Sequence, residues 1–138
     1  MSETLFPTLS DHHALERGAV LAPSFGPDGL MAAIIQHAHT GEVLMVGWMS
    51  AQALKLTLDT GFTHFWSRKR QELWKKGETS GQLLPVLEAR VDCDQDAVVI
   101  KTLPGGDGGV CHVQGFRSCF YRTVEDGALR EDPGSRLA

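Results

Sequence analysis

Long apolar runs are missing from this sequence. No stretch of about 18 apolar residues occurs, which excludes a membrane-spanning helix. The start, Met-Ser-Glu-Thr-Leu, has neither the basic nor the apolar segment of a secretory signal peptide. We therefore expect a cytoplasmic protein, in a compartment that keeps thiols reduced.

Cysteine and positive charge are both scarce. The only cysteines are Cys93, Cys111 and Cys119, an odd number that argues against a disulfide framework. Their thiols are then inert core groups, reactive groups or metal ligands. The net charge is -4, so the protein has no general attraction to nucleic acid or to an anionic membrane. We expect neither as a partner.

The 138 residues suffice for one small domain in which strands outnumber helices. Ser50 suits a helix N-cap and Gly61 suits the position after the last turn, which predicts one helix between them. The basic, glycine-punctuated stretch 68–82 is predicted to be a loop with a short helical turn. Apolar runs predict strands at 30–37, 43–48, 63–66, 83–93, 97–103 and 118–124.

Three carboxylates alternate with other residues at Asp92, Asp94 and Asp96. In an extended backbone they project to one side and Cys93 projects to the other. Oxygen ligands suit a hard cation such as Mg²⁺, which binds one or two carboxylates together with waters and substrate phosphates. A solvated acidic turn is an equally good interpretation of these residues alone.

The cysteines favour a second metal. Thiolate is a soft ligand that selects zinc, and three protein ligands with one open position are typical of catalytic zinc. A flexible loop with Gly115 could bring Cys111 and Cys119 together, and a partner subunit could donate Cys93 if one chain cannot. The alternative for each cysteine is a small buried apolar side chain.

His112 directly follows Cys111. Because imidazole titrates near neutral pH, His112 is a candidate general base or proton shuttle next to a zinc-activated water. The alternative is a partly exposed loop histidine without a chemical role.

Five of the thirteen basic residues fall within the nine positions 68–76, flanked by Trp66 and Trp74 and followed by 77–81, Gly-Glu-Thr-Ser-Gly. Guanidinium, hydroxyl and backbone N–H groups bind phosphate, and tryptophan offers a stacking surface to a base. A substrate with two phosphates and a purine fits these groups. A solvated cationic loop is the alternative.

Five motifs now suggest a family: 40–49, Phe65-Trp-Ser-Arg-Lys-Arg70, 73–81, Val91-Asp-Cys-Asp-Gln-Asp96, and Cys111-His112 with Ser118-Cys-Phe-Tyr-Arg122. In this order and spacing they resemble phosphoribosyl-AMP cyclohydrolase across residues 29–123. Val113-Gln114 departs from the Thr-Gly that often follows the Cys-His of that family.

The resemblance implies a cytoplasmic hydrolase of histidine biosynthesis that opens the adenine ring of phosphoribosyl-AMP at the N1–C6 bond. It implies a homodimer with one zinc per subunit, held by Cys93 of one chain and by Cys111 and Cys119 of the other. It also implies magnesium at Asp92, Asp94 and Asp96. His112 is the proposed proton carrier, and the expected substrate-binding residues are Trp66, Ser67, Arg68, Arg70, Trp74, Lys76, Glu78, Thr79, Ser80 and Arg117.

We therefore expect a β-dominated α+β fold: a single domain with a mixed, barrel-like sheet and one main helix. Its expected limits are an irregular or partly helical lead-in at 1–28, the cyclohydrolase domain at 29–124, and a polar tail at 125–138 that frays.

Two rival functions fit less well. A zinc-dependent base deaminase needs His-x-Glu followed by Pro-Cys-x-x-Cys, and neither motif occurs. A zinc-stabilised RNA-binding module would need a fourth zinc ligand and a basic surface, whereas the net charge is negative.

Overall fold

The computed structural model describes residues 5–113 and 115–137. The first helix lies in the lead-in, which is therefore partly helical as predicted. A 3-10 turn follows the last strand at Pro133–Ser135. Along the chain the helices and strands are α1 (His12–Arg17), β1 (Leu30–His37), β2 (Val43–Ser50), α2 (Ala51–Thr60), β3 (His64–Ser67), β4 (Glu72–Lys75), β5 (Glu88–Val91), β6 (Ala97–Thr102), β7 (Arg122–Glu125) and β8 (Ala128–Glu131).

A four-stranded sheet with the order β2-β1-β6-β5 forms the centre of the molecule. β1 and β6 are parallel, while β1 with β2 and β5 with β6 are antiparallel. The fold is thus α+β with a mixed sheet, as predicted. The predicted barrel-like closure is wrong, because β2 and β5 are the two edges of an open sheet in the described part of the chain.

Helix α2 has the predicted caps. The Ser50 hydroxyl accepts a hydrogen bond from the backbone N–H of Ala53 at 3.2 Å. Gly61 adopts the left-handed conformation, with a φ of 78°. The helix buries Ala53, Leu54 and Thr57, so one face packs on the core while the other meets solvent.

The stretch predicted as a loop at 68–82 contains strand β4, which pairs with β3 in an antiparallel hairpin. Gln71 has a φ of 53° in the connecting turn, a conformation that the polar sequence did not reveal. The hairpin carries the basic residues on an ordered support, with its Phe65 ring 5.2 Å from the Trp74 ring.

The predicted strand at 83–93 is only half present. Pro85 forms an isolated bridge with Phe62, and regular pairing begins at β5. Proline has no N–H to donate, so it limits the ladder there. The strand also ends before Asp92, which starts a turn into β6.

The last predicted strand is displaced. Residues 118–121 are irregular, and β7 begins at Arg122. Ser118 and Cys119 instead bond to β2: Ser118 Oγ donates to the Val43 carbonyl at 2.7 Å, and the Cys119 N–H donates to the Leu44 carbonyl at 2.7 Å. The expectation of a frayed tail after Glu125 is wrong, because β8 pairs with β7 and the 3-10 turn follows.

The core lies between the sheet, α2 and the β3–β4 hairpin. Neither helix in the described part of the chain has the length and apolar character that crossing a bilayer requires. The buried apolar side chains that form the core include Met31, Ala33, Ile35, Leu44, Met49, Leu54, Phe65, Leu84, Val98 and Ile100.

Candidate active site

The three predicted carboxylates do lie together, in what we call the acidic turn (residues 92–96). One oxygen from each of Asp92, Asp94 and Asp96 lies within 4.8 Å of the others. The backbone is a turn rather than an extended strand, so the predicted cause of this proximity is wrong. Asp92 Oδ1 accepts hydrogen bonds from the N–H groups of Asp96 at 3.0 Å and Ala97 at 3.2 Å.

The carboxylates of the acidic turn perturb one another. The hydrogen bond with Asp92, followed by the one with Asp94, raises the pKa of Asp96 to about 6. Burial acts to raise the pKa of Asp92, but hydrogen bonds from the Asp96 side chain and from two backbone N–H groups outweigh it and lower that pKa. Three crowded carboxylates of this kind suit a divalent cation.

Gln95 fixes the acidic turn, a role that no pattern of neighbouring residues indicated. Its side chain is 4% exposed although both neighbours are exposed acids. The amide nitrogen donates to the Leu15 carbonyl at 3.0 Å and to the Val20 carbonyl at 3.2 Å, and the amide oxygen accepts from the Ala22 N–H at 2.8 Å. The lead-in is therefore attached to the acidic turn through one buried amide.

Cys111 and Cys119 form the second cluster, in what we call the cysteine loop (residues 111–119). Cys111 is buried and Cys119 is exposed at the surface. The Cys119 thiol still has enough protein around it that burial, followed by the charge of the nearby Cys111, raises its pKa to about 11. The two thiols are thus neighbours, as the sequence predicted. Gln114 of this loop lies outside the described residues.

Cys93 lies apart from the other two thiols. Within residues 5–113 and 115–137, the acidic trio is the only group of three metal-ligand side chains within 4.8 Å. Cys93 is exposed and lines a different cleft, together with Val20 and Leu21 of the lead-in. One chain therefore brings two of the three predicted zinc ligands together and presents the third elsewhere.

The basic loop (residues 76–80) meets the cysteine loop. The ammonium group of Lys76 acts to lower the pKa of Cys119, opposing the effect of burial. Ser80 lines one cleft with Arg70, Glu78 and Thr79, and a second cleft with Cys111 and His112. The predicted phosphate-binding groups and the predicted zinc ligands therefore share one surface.

Gly77 makes the tight path of the basic loop possible. Its φ is 82°, and a Cβ atom there would lie 2.3 Å from the backbone of Gln82. A side chain therefore fits neither the backbone conformation nor the available space. This close approach brings Lys76 and Ser80 to the two sides of one compact turn.

A further cleft lies beside the β3–β4 hairpin. Trp66, Ser67, Arg68, Arg70 and Trp74 line it, as does Trp48 of β2. The Arg68 guanidinium lies 4.5 Å from the centre of the Trp48 ring, a cation–π contact. Trp48 is a candidate substrate contact that the sequence analysis overlooked, although it lies within one of the family motifs.

Arg117 is the predicted substrate-binding residue with the most contacts inside the protein. Its guanidinium forms an ion pair with Glu42, at 3.1 Å between Nε and Oε1. It also donates to the carbonyls of Gly134 and Arg136. These contacts occupy the donors of the guanidinium within the protein. That Arg117 binds substrate therefore stays a prediction.

The sequence relatives decide the family. A profile of phosphoribosyl-AMP cyclohydrolase matches residues 45–121. The phosphoribosyl-AMP cyclohydrolase of Caulobacter vibrioides is 63% identical over 95% of this chain and 94% of its own length. The proteins of that name from Caulobacter sp. and Brucella canis are 65% and 54% identical, over 93% and 88% of this chain and 95% and 87% of their own lengths.

The chain belongs to the phosphoribosyl-AMP cyclohydrolase family. It is accordingly a hydrolase of histidine biosynthesis. The matched region of this cyclohydrolase contains the β3–β4 hairpin, the basic loop, the acidic turn and the whole cysteine loop. The lead-in and the C-terminal segment lie outside it, although each contacts a part of the site.

Proposed function

We propose that the cyclohydrolase hydrolyses the N1–C6 bond of the adenine ring of phosphoribosyl-AMP where the cysteine loop meets the basic loop. This location is supported by the proximity of Lys76 to Cys119 and by the cleft that Ser80 shares with Cys111 and His112. Phosphate-binding groups beside paired thiols match a phosphorylated substrate and a soft metal ion.

We further propose that zinc is bound by Cys111 and Cys119 of one subunit and by Cys93 of a second, with one zinc per subunit of a homodimer. The donor set fits, since two neighbouring thiols and an exposed third thiol supply three soft ligands. Exposed apolar side chains flank both exposed cysteines: Val91, at 38% exposure, precedes Cys93, and Phe120, at 58% exposure, follows Cys119. Such side chains favour burial against another copy of the chain.

Magnesium is the proposed occupant of the acidic turn. Asp92, Asp94 and Asp96 offer oxygens within 4.8 Å of one another, and oxygen ligands are those that Mg²⁺ prefers. All three carboxylates are exposed, so a bound cation would remain accessible to a substrate phosphate. This metal would orient the substrate, since a second cation is not needed to provide the nucleophile.

The remaining groups bind and orient the substrate. Lys76 and the hydroxyls of Thr79 and Ser80 face the phosphates from the basic loop, with Glu78 beside them. Arg68, Arg70, Trp66, Trp74 and Ser67 line the adjoining cleft, where a ring stacks on tryptophan and a phosphate meets guanidinium groups.

In the reaction, a C–O bond forms between a water oxygen and C6 and the N1–C6 bond breaks. One water proton ends on N1 and the other on the exocyclic nitrogen, so that C6 becomes the carbon of a carboxamide. Bound zinc would supply the Lewis acidity that makes a water nucleophilic near neutral pH. His112 is exposed, lines the same cleft as Cys111, and carries the proton between water and N1. Lys76 and Ser80 hold the substrate in place during this transfer.

Mixing two inactive variants tests the shared zinc. Cys93→Ser and Cys111→Ser should each lose zinc and activity. Equal mixtures should regain up to about a quarter of the parent activity at the same total protein concentration. About half of the dimers are then heterodimers, and each heterodimer contains one intact set of three cysteines out of two. Loss of the purine absorbance of phosphoribosyl-AMP measures turnover.

The matched control for this experiment mixes Cys111→Ser with Cys119→Ser, which both damage the same half of the site. That mixture is expected to regain no activity, because each site of its heterodimer takes both Cys111 and Cys119 from one chain and so lacks one of the two thiols. In the mixture of Cys93→Ser with Cys111→Ser, one of the two variants carries an affinity tag, so that heterodimers can be isolated through it. No recovery of activity in these heterodimers would refute the shared site.

A further inference from the structure

The C-terminal segment folds back over the cysteine loop. We call residues 132–137 the C-terminal clasp. The Arg117 N–H donates to the Ser135 carbonyl at 3.1 Å, and the Leu137 N–H donates to the Gly115 carbonyl at 2.9 Å. Arg136 forms a β-bridge with Phe116. The clasp thus pairs with the middle of the loop, between its two cysteines.

The Arg117 side chain joins three separate parts of the chain. Its guanidinium donates to the Arg136 carbonyl at 2.8 Å and to the Gly134 carbonyl, both in the clasp. Nε also lies 3.1 Å from Oε1 of Glu42, just before β2. A planar guanidinium with several fixed donors can make these contacts at once, and a lysine ammonium cannot reproduce that geometry.

The clasp also reaches the site itself. Leu137 lines the cleft that contains Cys111 and His112. Phe116 is 4% exposed, stacks on Tyr121 with 4.1 Å between ring centres, and has the Arg136 guanidinium 5.1 Å from its own ring centre. The loop between the cysteines is therefore covered by the clasp rather than free in solvent.

We propose that the C-terminal clasp, held by Arg117 and Glu42, is a positioning element that keeps Cys111 and Cys119 side by side. Arg117 is then a positioning residue rather than a phosphate ligand. The consequence for zinc rests on the proposed function, whereas the positioning of the thiols does not. Without the clasp, the backbone of the described loop residues 111–113 and 115–119 would keep its bonds to β2 and to Val110 and the bond from the Val113 N–H to the Cys111 thiol.

Thiol reactivity tests the clasp without reference to catalysis. In the full-length protein treated with a chelator, alkylation of the buried Cys111 is followed by mass spectrometry at fixed protein and reagent concentrations. Arg117→Gln should raise the Cys111 rate about tenfold over the parent, because loop opening exposes a buried thiol. Glu42→Gln, which removes only the ion pair, should raise it about threefold.

The conservative variant and a matched control separate positioning from a general effect of charge. Arg117→Lys should fall between the parent and Arg117→Gln, since it retains charge but not the forked donors. Arg130→Gln removes an arginine whose ion pair with Glu125 is exposed on the β7–β8 hairpin, and its Cys111 rate should equal that of the parent.

Zinc release provides the second measurement. From protein as purified, transfer of zinc to a chromogenic chelator should be about tenfold faster in Arg117→Gln and unchanged in Arg130→Gln. If both Arg117→Gln and Glu42→Gln label Cys111 within twofold of the control, the clasp does not position the thiols. Should Arg117→Gln fail to fold, Glu42→Gln decides alone by the same criterion. Faster labelling of Cys111 in Arg117→Gln, combined with no zinc in the parent protein as purified, would uphold the clasp and refute the zinc assignment.

Discussion

The acidic turn and the cysteine loop are built in opposite ways. The acidic turn gathers three carboxylates from five consecutive residues and is complete within one chain. The cysteine loop brings two thiols together through contacts with β2, the basic loop and the C-terminal clasp, and its proposed third ligand lies elsewhere. A site formed by one short segment can be found from spacing alone. A site held by distant segments also needs the fold, and the zinc site proposed here would need a second subunit as well.

The largest expected effect separates the two proposed metals. Cys111→Ser should abolish zinc binding and lower kcat/KM by at least about a thousandfold, since the proposed water-activating metal is lost. Asp94→Asn should keep zinc and raise the Mg²⁺ concentration needed for half-maximal activity about tenfold, because one anionic ligand becomes neutral. Elemental analysis and a magnesium titration measure the two effects.

The contrast between the acidic turn and the cysteine loop would fail if a substitution in one region changed the metal content of the other. Asp94→Glu is the control, because it keeps the charge and should need less additional magnesium than Asp94→Asn. Loss of zinc from Asp94→Asn at stoichiometric zinc supply would mean that both regions bind a single metal centre.

The second prediction concerns the buried attachment of the acidic turn. Gln95→Ala should lower the free energy of unfolding by about 2–3 kcal/mol, because three backbone groups of the lead-in lose their partner. Gln71→Ala is a matched control: Gln71 also has a positive φ, but it is exposed and donates one hydrogen bond to the Arg68 carbonyl. It should cost under about 0.5 kcal/mol. Equal losses in urea unfolding would show that Gln95 is not an anchor.

A smaller effect is expected from the backbone of the cysteine loop. Gly115 has a φ of 94° with open space around it, so Gly115→Ala adds strain without a clash and should cost about 1–2 kcal/mol. Gly108→Ala introduces comparable strain at a φ of 84°, also in open space but outside the loop. Both should lower stability, and only Gly115→Ala should speed zinc release. Equal zinc release from the two variants would contradict a loop that is held in one conformation.

The smallest effect is a pH dependence of the acidic turn. Because the neighbouring Asp92 raises the pKa of Asp96 to about 6, Asp96 holds its proton below that pH in the metal-free protein. A divalent cation needs the charged form, so protons compete with it as pH falls through 6. Calorimetric Mg²⁺ affinity should be several-fold weaker at pH 5.5 than at pH 7.5. An Mg²⁺ affinity that is the same at both pH values would show that the carboxylates of the acidic turn do not bind the ion.

The sequence predicted those parts of the fold that short-range chemistry determines. The limits of β1 and the caps of α2 follow from apolar runs and from Ser50 and Gly61, and the structure confirms them. Strand β4 was missed because it is only four residues long, Glu72–Lys75, and lies within a mostly polar, glycine-punctuated stretch. The strand predicted at 118–124 was misplaced because residues 118 and 119 satisfy their hydrogen bonds with β2 instead of forming a ladder.

The candidate site shows the same division. The carboxylates and the two neighbouring thiols were predicted correctly as groups, and the assignment of metals to them stays a prediction. The role of Gln95 was invisible, because a glutamine between two aspartates is usually solvated and its partners lie about 75–80 positions away. The ion pair of Arg117 with Glu42 also joins residues that no local pattern connects.

The clasp has a consequence for the order of events during synthesis. A chain is made from its N-terminus, so the cysteine loop leaves the ribosome before residues 132–137, which bond to it. If the clasp positions the thiols as proposed, the loop reaches its final conformation only after residues 132–137 have been made and have paired with it. We therefore expect this segment to fold late, and any metal ion that the two thiols bind would be held firmly only after that step.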